Sequence, residues 1–386
     1  MRSALVVLGL LVLVPPALAH EQDKKGKAPA GDKVDPVKVD GAIKKGVAYL
    51  KNQIGKYGSI NKRRSEELIL WVFAHSGVPE NDPDFEKLLK TVVETPLEWT
   101  YNVSLQAMIL EELDRVKYQG RIAQCAQFLV DNQCQNGQWA YGEVDQFAKD
   151  TPTGGKKSVA SGSKSKTEKA IPGQRTKPKV VSTMTVKQMK KGPARGDNSN
   201  SQYAALGLRA CHDAGIVMPP DVIELAEKWW REGIGADGWG YLSKNDSGYG
   251  SMTAGAVGAL TIYLYIQGHP WLKDKDVQTG MDWLARNFTV TENPKTPEAG
   301  GGQGGWQYYY LYALERAGIF YGTETFGAHD WYVEGATFLL GQQKDDGSWM
   351  TKGADHAIWD TCFAILFLRR ATRPLRDVAS EDRKAK

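Results

Sequence analysis

Apolar positions recur along most of the chain at helical intervals, and the helices they predict come in pairs. Ile43, Val47 and Leu50 lie at i, i+4 and i+7, and Ile122, Cys125 and Leu129 repeat nearly the same spacing. Each set then falls on one face of an α-helix. Six pairs can be drawn: 39–54 with 65–77, 84–95 with 100–113, 121–133 with 200–215, 220–233 with 251–268, 277–288 with 307–318, and 329–343 with a helix starting near Asp355. Second members stop at Gly77, Gly215, Gly268 and Gly318. Glycine closes a helix in the left-handed conformation at little cost. The last three stops lie roughly 50 residues apart, the period of a repeat made of two helices.

The two members of a pair differ in kind. First helices such as ELAEKWWREG keep a charged face. Second helices such as TAGAVGALTIYLYI and TCFAILFL are apolar nearly all round, which predicts burial. One set inside and one outside gives two concentric layers. Six pairs close those layers into an all-α (α/α)6 toroid over residues 39–372, with a charged tail at 373–386.

Residues 143–197 interrupt the repeat. The stretch TPTGGKKSVASGSKSKTEKA is basic and of low complexity, a composition that predicts disorder or a mobile surface loop. VVSTMTV at 180–186 alternates and predicts a short strand, as in a flap. At a barrel rim, such an insert is either a lid over the mouth or an idle loop. At the other end of the chain, Arg2, the apolar run Ala4 to Val14 and Ala17-Leu18-Ala19 have the form of a secretory signal over 1–19, cleaved after Ala19. A charged leader, 20–38, follows. The mature chain is expected to be secreted or periplasmic, with no transmembrane span.

Charge and composition narrow the function classes. The net charge is +4, but residues 151–195 hold twelve Lys/Arg against Glu168 alone, so the rest of the chain is acidic. No basic stripe interleaves with aromatics, so no nucleic-acid partner is expected. Six histidines without ligand spacing argue against a metal, and no cofactor is expected. Of the four cysteines, Cys125 and Cys134 form a candidate disulfide. Cys211 and Cys362 fall in apolar helices as small buried hydrophobes.

The turns between paired helices carry a motif. QQKDDGSW (342–349) and NQCQNGQW (132–139) are its best copies; ADGWGY and GQGGW are looser ones. These resemble the QW repeats of squalene and oxidosqualene cyclases and of the wider prenyltransferase and squalene-oxidase-repeat superfamily. The resemblance implies a terpenoid cyclase/protein prenyltransferase-like barrel. It also implies that Gln133, Trp139, Trp239, Gln343 and Trp349 are structural, each Gln amide tying down helix-end backbone groups beside its Trp ring.

In that family, function resides at the starts of the inner helices. There DHAIWDTC keeps Asp360-Thr361 of the acid motif Asp-x-Asp-Asp-Thr-Ala, while Trp359 and Ala357 stand at its other carboxylate positions. Asp360 also stands where a prenyltransferase would place a zinc-binding His. His356 and Asp360 are four apart and share a helix face, so they are the candidate catalytic pair. Asp197, Asn200, Gln202, Tyr249, Ser251, Thr253, Trp306, Tyr308 and Trp359 are candidate ligand-binding residues, with Glu66, Tyr101, Asn102 and Tyr309 at further helix starts. Successive helical residues lie about 100° apart, so at most two of Tyr308, Tyr309 and Tyr310 face one cavity. Asp197, Ser251 and Asp355 equally fit N-cap positions.

Three functions follow from such a cavity. Aromatic faces suit an isoprenoid lipid and its cationic intermediates. They equally stack on the sugar rings of a glycan. A barrel with neither ligand is a scaffold for partner proteins. A deep, mostly apolar chamber favours the first, an open groove with several charged groups the second, and a collapsed centre the third.

Overall fold

A computed structural model describes residues 34–56, 65–151, 175–297, 305–351 and 356–375, all within the unit Val34–Lys386. The signal segment, the leader up to Lys33, the turn at Tyr57–Ser59, the core of the low-complexity stretch, the glycines at 301–304, Asp355 and the tail beyond Leu375 lie outside the described residues.

Thirteen helices are present among the described residues: α1 (Pro36–Gln53), α2 (Glu66–His75), α3 (Pro83–Glu94), α4 (Thr100–Asp114), α5 (Gln119–Asp131), α6 (Gln146–Asp150), α7 (Asn198–Asp213), α8 (Pro220–Glu232), α9 (Gly250–Ile266), α10 (Lys275–Arg286), α11 (Gln307–Tyr321), α12 (Trp331–Gln342) and α13 (Ala357–Arg369). α2, α4, α7, α9, α11 and α13 pack one on the next, and α13 returns onto α2. This closed ring is the inner layer. α1, α3, α5, α8, α10 and α12 form the outer layer, so the fold is the all-α toroid.

Burial follows the sequence pattern. α9 is buried from Gly250 through Leu264, whereas α3 buries only Phe85, Leu88 and Val92. Small residues let inner helices touch: a Cβ on Gly207 of α7 would come within 2.9 Å of Ser104 on α4. The N-terminal signals are equally local. Asp35 accepts from Val37 N at 2.9 Å, and Pro36 occupies the first helical turn. α1 therefore starts at Pro36, inside the segment expected to be leader.

The turn motifs at Trp139, Trp239 and Trp349 join their outer and inner helices in the same way, whereas Trp306 of GQGGW lines the chamber. The Trp139, Trp239 and Trp349 indoles each donate to a carbonyl of their own outer helix, Leu129, Trp230 and Leu339, all at 2.8 Å. Their backbone N–H groups donate to a hydroxyl of the following inner helix, Ser201, Thr253 and Thr361, at 2.9, 3.2 and 3.0 Å. The Gln amides reach the next outer helix round the ring. Gln133 donates to Val222 O and Gln343 to Ala42 O, both at 2.8 Å. The second of these joins the last outer helix to the first.

Gly77, Gly215 and Gly268 have φ of 75°, 77° and 73° and stop their helices as expected. Gly318 does not. α11 runs on to Tyr321, and Gly322, with φ 83°, takes the closing position. Gly318 instead leaves room for Trp331, whose Nε1 would lie 2.8 Å from an added Cβ.

The described ends of the insert, 143–151 and 175–197, pack against the barrel. Residues 143–150 include the short α6, capped by Asp145. From Arg175 the chain crosses the end of the barrel where the inner helices finish. There Lys177 Nζ lies 2.5 Å from Glu111 and 2.8 Å from Glu112 of α4. Arg373, just past α13, grips Glu112 with two bonds of 2.8 Å. The strand β1 (Met184–Thr185) pairs in parallel with β2 (Ile216–Val217) beyond α7, so VVSTMTV is tied down rather than a flap. The 187–190 segment is then held by α5, through Gln127 to Lys187 O and through Met189 N to Asp131. A β-hairpin, β3 (Thr325–Phe326) with β4 (His329–Asp330), leads into α12.

All four cysteines are buried and free, so the expected Cys125–Cys134 bridge is absent. Cys125 Sγ turns towards Gln106 of α4, whereas Cys134 lies in the turn after α5, hydrogen-bonded through its backbone to Gln138 O. Burial pushes the Cys125 thiol up to about 12. No described helix is long and apolar enough to cross a membrane.

Candidate functional site

The inner helices all start at one end of the barrel, and a chamber of about 600 Å³ opens there. Its wall is drawn from the first two turns of these helices and from the loops before them. α2 contributes Leu68 and α4 contributes Tyr101, Asn102 and Leu105. α7 contributes Ser199 and Tyr203, α9 Ser251 and Met252, α11 Tyr309, and α13 Trp359 and Phe363. Trp99, Tyr141, Tyr241, Tyr249, Pro297 and Trp306 close the rim. The volume falls in the ordinary range for small-molecule sites, about 300–1,000 Å³.

The aromatic rings form a connected wall. Tyr101 packs on Tyr203 at 4.5 Å between centroids, and Tyr203 stacks on Tyr309 at 6.2 Å. Tyr309 meets Phe363 edge-on at 5.6 Å. Trp306 stacks with Trp359 at 6.0 Å, and the Trp359 indole donates to Ser65 Oγ at 2.9 Å. Trp306 has a left-handed backbone, φ 59°, the conformation in which it takes its place at the head of α11.

Four expected ligand-binding residues line the chamber: Tyr249, Ser251, Trp306 and Trp359. The other five do not. Asp197 caps α7, accepting from Asn200 N and Asn200 Nδ2, each at 2.8 Å. Asn200 is consumed in that cap. Gln202 Oε1 accepts from Arg316 at 3.0 Å, below the chamber. Thr253 holds the backbone of Trp239. Tyr308 is buried off the lining, near Asp360; of the three tyrosines only Tyr309 faces in. Ser251 is not a cap: Tyr249 holds that position, and Ser251 N donates to Asn293 Oδ1 at 2.9 Å.

The proposed catalytic pair is assembled, but off the lining. His356 Nε2 lies 3.5 Å from Asp360 Oδ1, and the imidazole stacks on Trp306 at 4.6 Å. Asp360 is buried and accepts from Thr351 N at 2.7 Å. Burial pushes its carboxyl above the usual carboxylate range, against the pull of His356. Thr361 beside it serves the Trp349 turn. The surviving pair of the acid motif thus holds the 349–351 loop. Replacing Asp360 by Asn keeps an acceptor of the same shape. Asp360→Asn is expected to change ligand affinity less than about twofold and to cost about 1 kcal/mol in urea denaturation, because the bond from Thr351 N then ends on a neutral acceptor instead of a charged one.

Among the described residues, no cluster of three His, Cys, Asp or Glu side chains is placed to hold a metal.

No protein-family model matches the chain, and no curated protein does. Solved structures of the type II terpene cyclase MstE from Scytonema share the fold. A variant in complex with geranylgeranyl dihydroxybenzoate, its substrate, superposes with a TM-score of 0.50 at 12% identity, covering 87% of this chain and 97% of that one. A second variant, in complex with merosterolic acid A, its product, gives 0.51 at 13% identity with the same coverage. At such identities the likeness establishes the fold.

Proposed function

We propose that this chain binds an isoprenoid-type lipid in the aromatic chamber. The observation that carries the reading is the lining itself: a deep wall of Tyr, Trp, Phe, Leu and Met side chains, with no Asp, Glu, Lys, Arg or His among the described lining residues. Burying apolar chain there yields roughly 25 cal/mol per Å². Aromatic faces add attraction for any positive charge that develops along the chain. The fold neighbours, one of which takes a geranylgeranyl substrate, support the same ligand class. A glycan site would set charged and amide groups against ring hydroxyls; here Asn102 is the one amide on the wall.

The reading stops at binding. A cyclase must protonate its substrate, and Asp360 faces a loop instead of the chamber. We also propose that the chain works outside the cytoplasm, on the strength of its first nineteen residues. Mass spectrometry of the purified natural protein should then find His20 at its start.

A thermal-shift panel tests the ligand class. Polyprenols and polyprenyl esters are expected to raise the melting temperature in proportion to occupancy, and neutral or acidic oligosaccharides to leave it unchanged. A shift with oligosaccharides alone would replace the lipid reading with the carbohydrate one.

A further inference from the structure

The chamber has an apolar side and a polar side, and the charge behind the polar side is negative. Ser199 Oγ, on the lining, donates to Asp197 Oδ1 at 2.8 Å and lies 3.3 Å from the Tyr241 hydroxyl. Asp197 is itself buried. Its charge reaches Tyr101 and Tyr241, whose hydroxyls are held in the neutral form first by burial and then by that carboxylate, and it adds to the effects of burial and Tyr241 on Tyr249.

The opposing effect is the helix ends. Six inner helices point their N-termini at the mouth, and each carries the equivalent of about half a positive charge. Alone, they would make an anion site. Three are already answered by full carboxylates of this chain: Glu66 and Glu67 in the first turn of α2, Asp197 capping α7, and Asp360 in the first turn of α13. Two more have donors in use, Thr100 N to Tyr141 O and Ser251 N to Asn293 Oδ1. A whole charge outweighs a half, so five of the six helix ends are answered, and the sixth, that of α11, has no side-chain cap.

Nor, among the described residues, does a cation side chain line the ligand space. The nearest buried one, Arg316, lies below the Tyr203 and Tyr309 rings, stacked on Tyr312 at 4.1 Å. It lines the small cleft at the opposite end of the barrel, with Glu111 and Glu112.

Building on the isoprenoid reading, we propose that the ligand's polar end is an uncharged hydroxyl held by Ser199 with Asp197 behind it, and that phosphate and diphosphate esters of the same chain are rejected. The ligand hydroxyl donates to Ser199 Oγ, whose own proton is held by Asp197, and exchanges a second hydrogen bond with the Tyr241 hydroxyl, which can donate or accept. A diphosphate at the same place meets the Asp197 carboxylate, with no counter-charge among the described lining residues.

The test is a pairwise affinity measurement on the purified full chain: geranylgeraniol against geranylgeranyl diphosphate, by quenching of tryptophan fluorescence. The alcohol is expected to bind at least about tenfold tighter. Asp197→Asn keeps the α7 cap, because Asn accepts there as well as Asp. It should bring the diphosphate to within about threefold of the alcohol by removing the repelling charge. Ser199→Ala should weaken the alcohol by about three- to tenfold, one hydrogen bond, and leave the diphosphate unchanged.

Equal or tighter binding of the diphosphate by the wild-type chain overturns the proposal. So does a folded Asp197→Asn variant with the wild-type preference. If that variant fails to fold, the wild-type ratio and Ser199→Ala still decide. Binding of neither compound overturns the isoprenoid reading itself, whereas equal binding of both sinks only the head-group proposal.

Discussion

Placing tryptophan at Leu68 and Leu105 together is expected to abolish lipid binding while leaving the protein folded. Both leucines line the chamber, on the adjacent inner helices α2 and α4. In a packed core, small-to-large changes cost about 1–3 kcal/mol because the new atoms have nowhere to go. Here they enter an open chamber of about 600 Å³, so the variant Leu68→Trp/Leu105→Trp should unfold within a few tenths of a kcal/mol of wild type. The two indoles occupy the path of the chain, and affinity should fall at least about tenfold, or roughly 1.4 kcal/mol. Titration with a polyprenol alongside urea denaturation reads both quantities. Unchanged affinity in the folded variant would mean that the ligand binds elsewhere.

The largest effect on stability is expected at the other end of the barrel. Lys177 is almost fully buried between Glu111 and Glu112. Arg373 keeps Glu112 paired, and Arg115 remains 3.5 Å from Glu111. Glu111 nonetheless loses its shortest partner in Lys177→Met. Breaking a buried pair from one side costs about 3–5 kcal/mol, and that is the predicted loss.

The sign of its pH dependence follows from burial. Burial already pushes the Glu111 carboxyl above its ordinary value, against the pull of Lys177. Without the lysine it rises further. A group whose folded value is raised contributes stability below its unfolded value and loses it as pH climbs towards the folded one. The deficit of Lys177→Met should therefore be smallest near pH 4 and grow towards pH 8. Adding Glu111→Gln should recover most of it and flatten the dependence. A loss below 1 kcal/mol at pH 8 would show that the strap at 175–177 is not what closes this end.

The helices and their closure were legible because each depends on local signals. Glycine stops and all-round apolar runs are local, and the two concentric layers follow from which runs lack a charged face; the Asp-Pro starts at Pro36 and Pro83 are local too but were not read. α11 overran its expected stop because Gly318 is a packing glycine under Trp331, a contact that only the folded chain reveals. The strap escaped notice because its anchor is a single lysine in a basic segment, and nothing in the composition separates Lys177 from its solvated neighbours.

The chamber was half legible for a different reason. Taking every inner-helix start as inward-facing ignores the turn of about 100° per residue. The internal repeat held the missing register. Ser201, Thr253 and Thr361 each serve a clasp Trp, and the residues two before them, Ser199, Ser251 and Trp359, all line the chamber. Of the residues one before, Asn200 turns to the Asp197 carboxylate and Asp360 to Thr351 N, whereas Met252 stays on the wall. Likewise Tyr141 and Tyr241 stand two after Trp139 and Trp239 and were missed, although the same offset locates both.

Photoaffinity labelling tests the central claim most directly. A geranylgeraniol analogue with a diazirine near its chain end is irradiated with the full chain, and the labelled peptides are mapped by mass spectrometry. The predicted result is label on the chamber wall, at 99–105, 199–203 or 306–309, removed by excess unlabelled polyprenol and untouched by oligosaccharide. Label confined to the outer helices, or label on the wall that polyprenol fails to compete, would contradict the account.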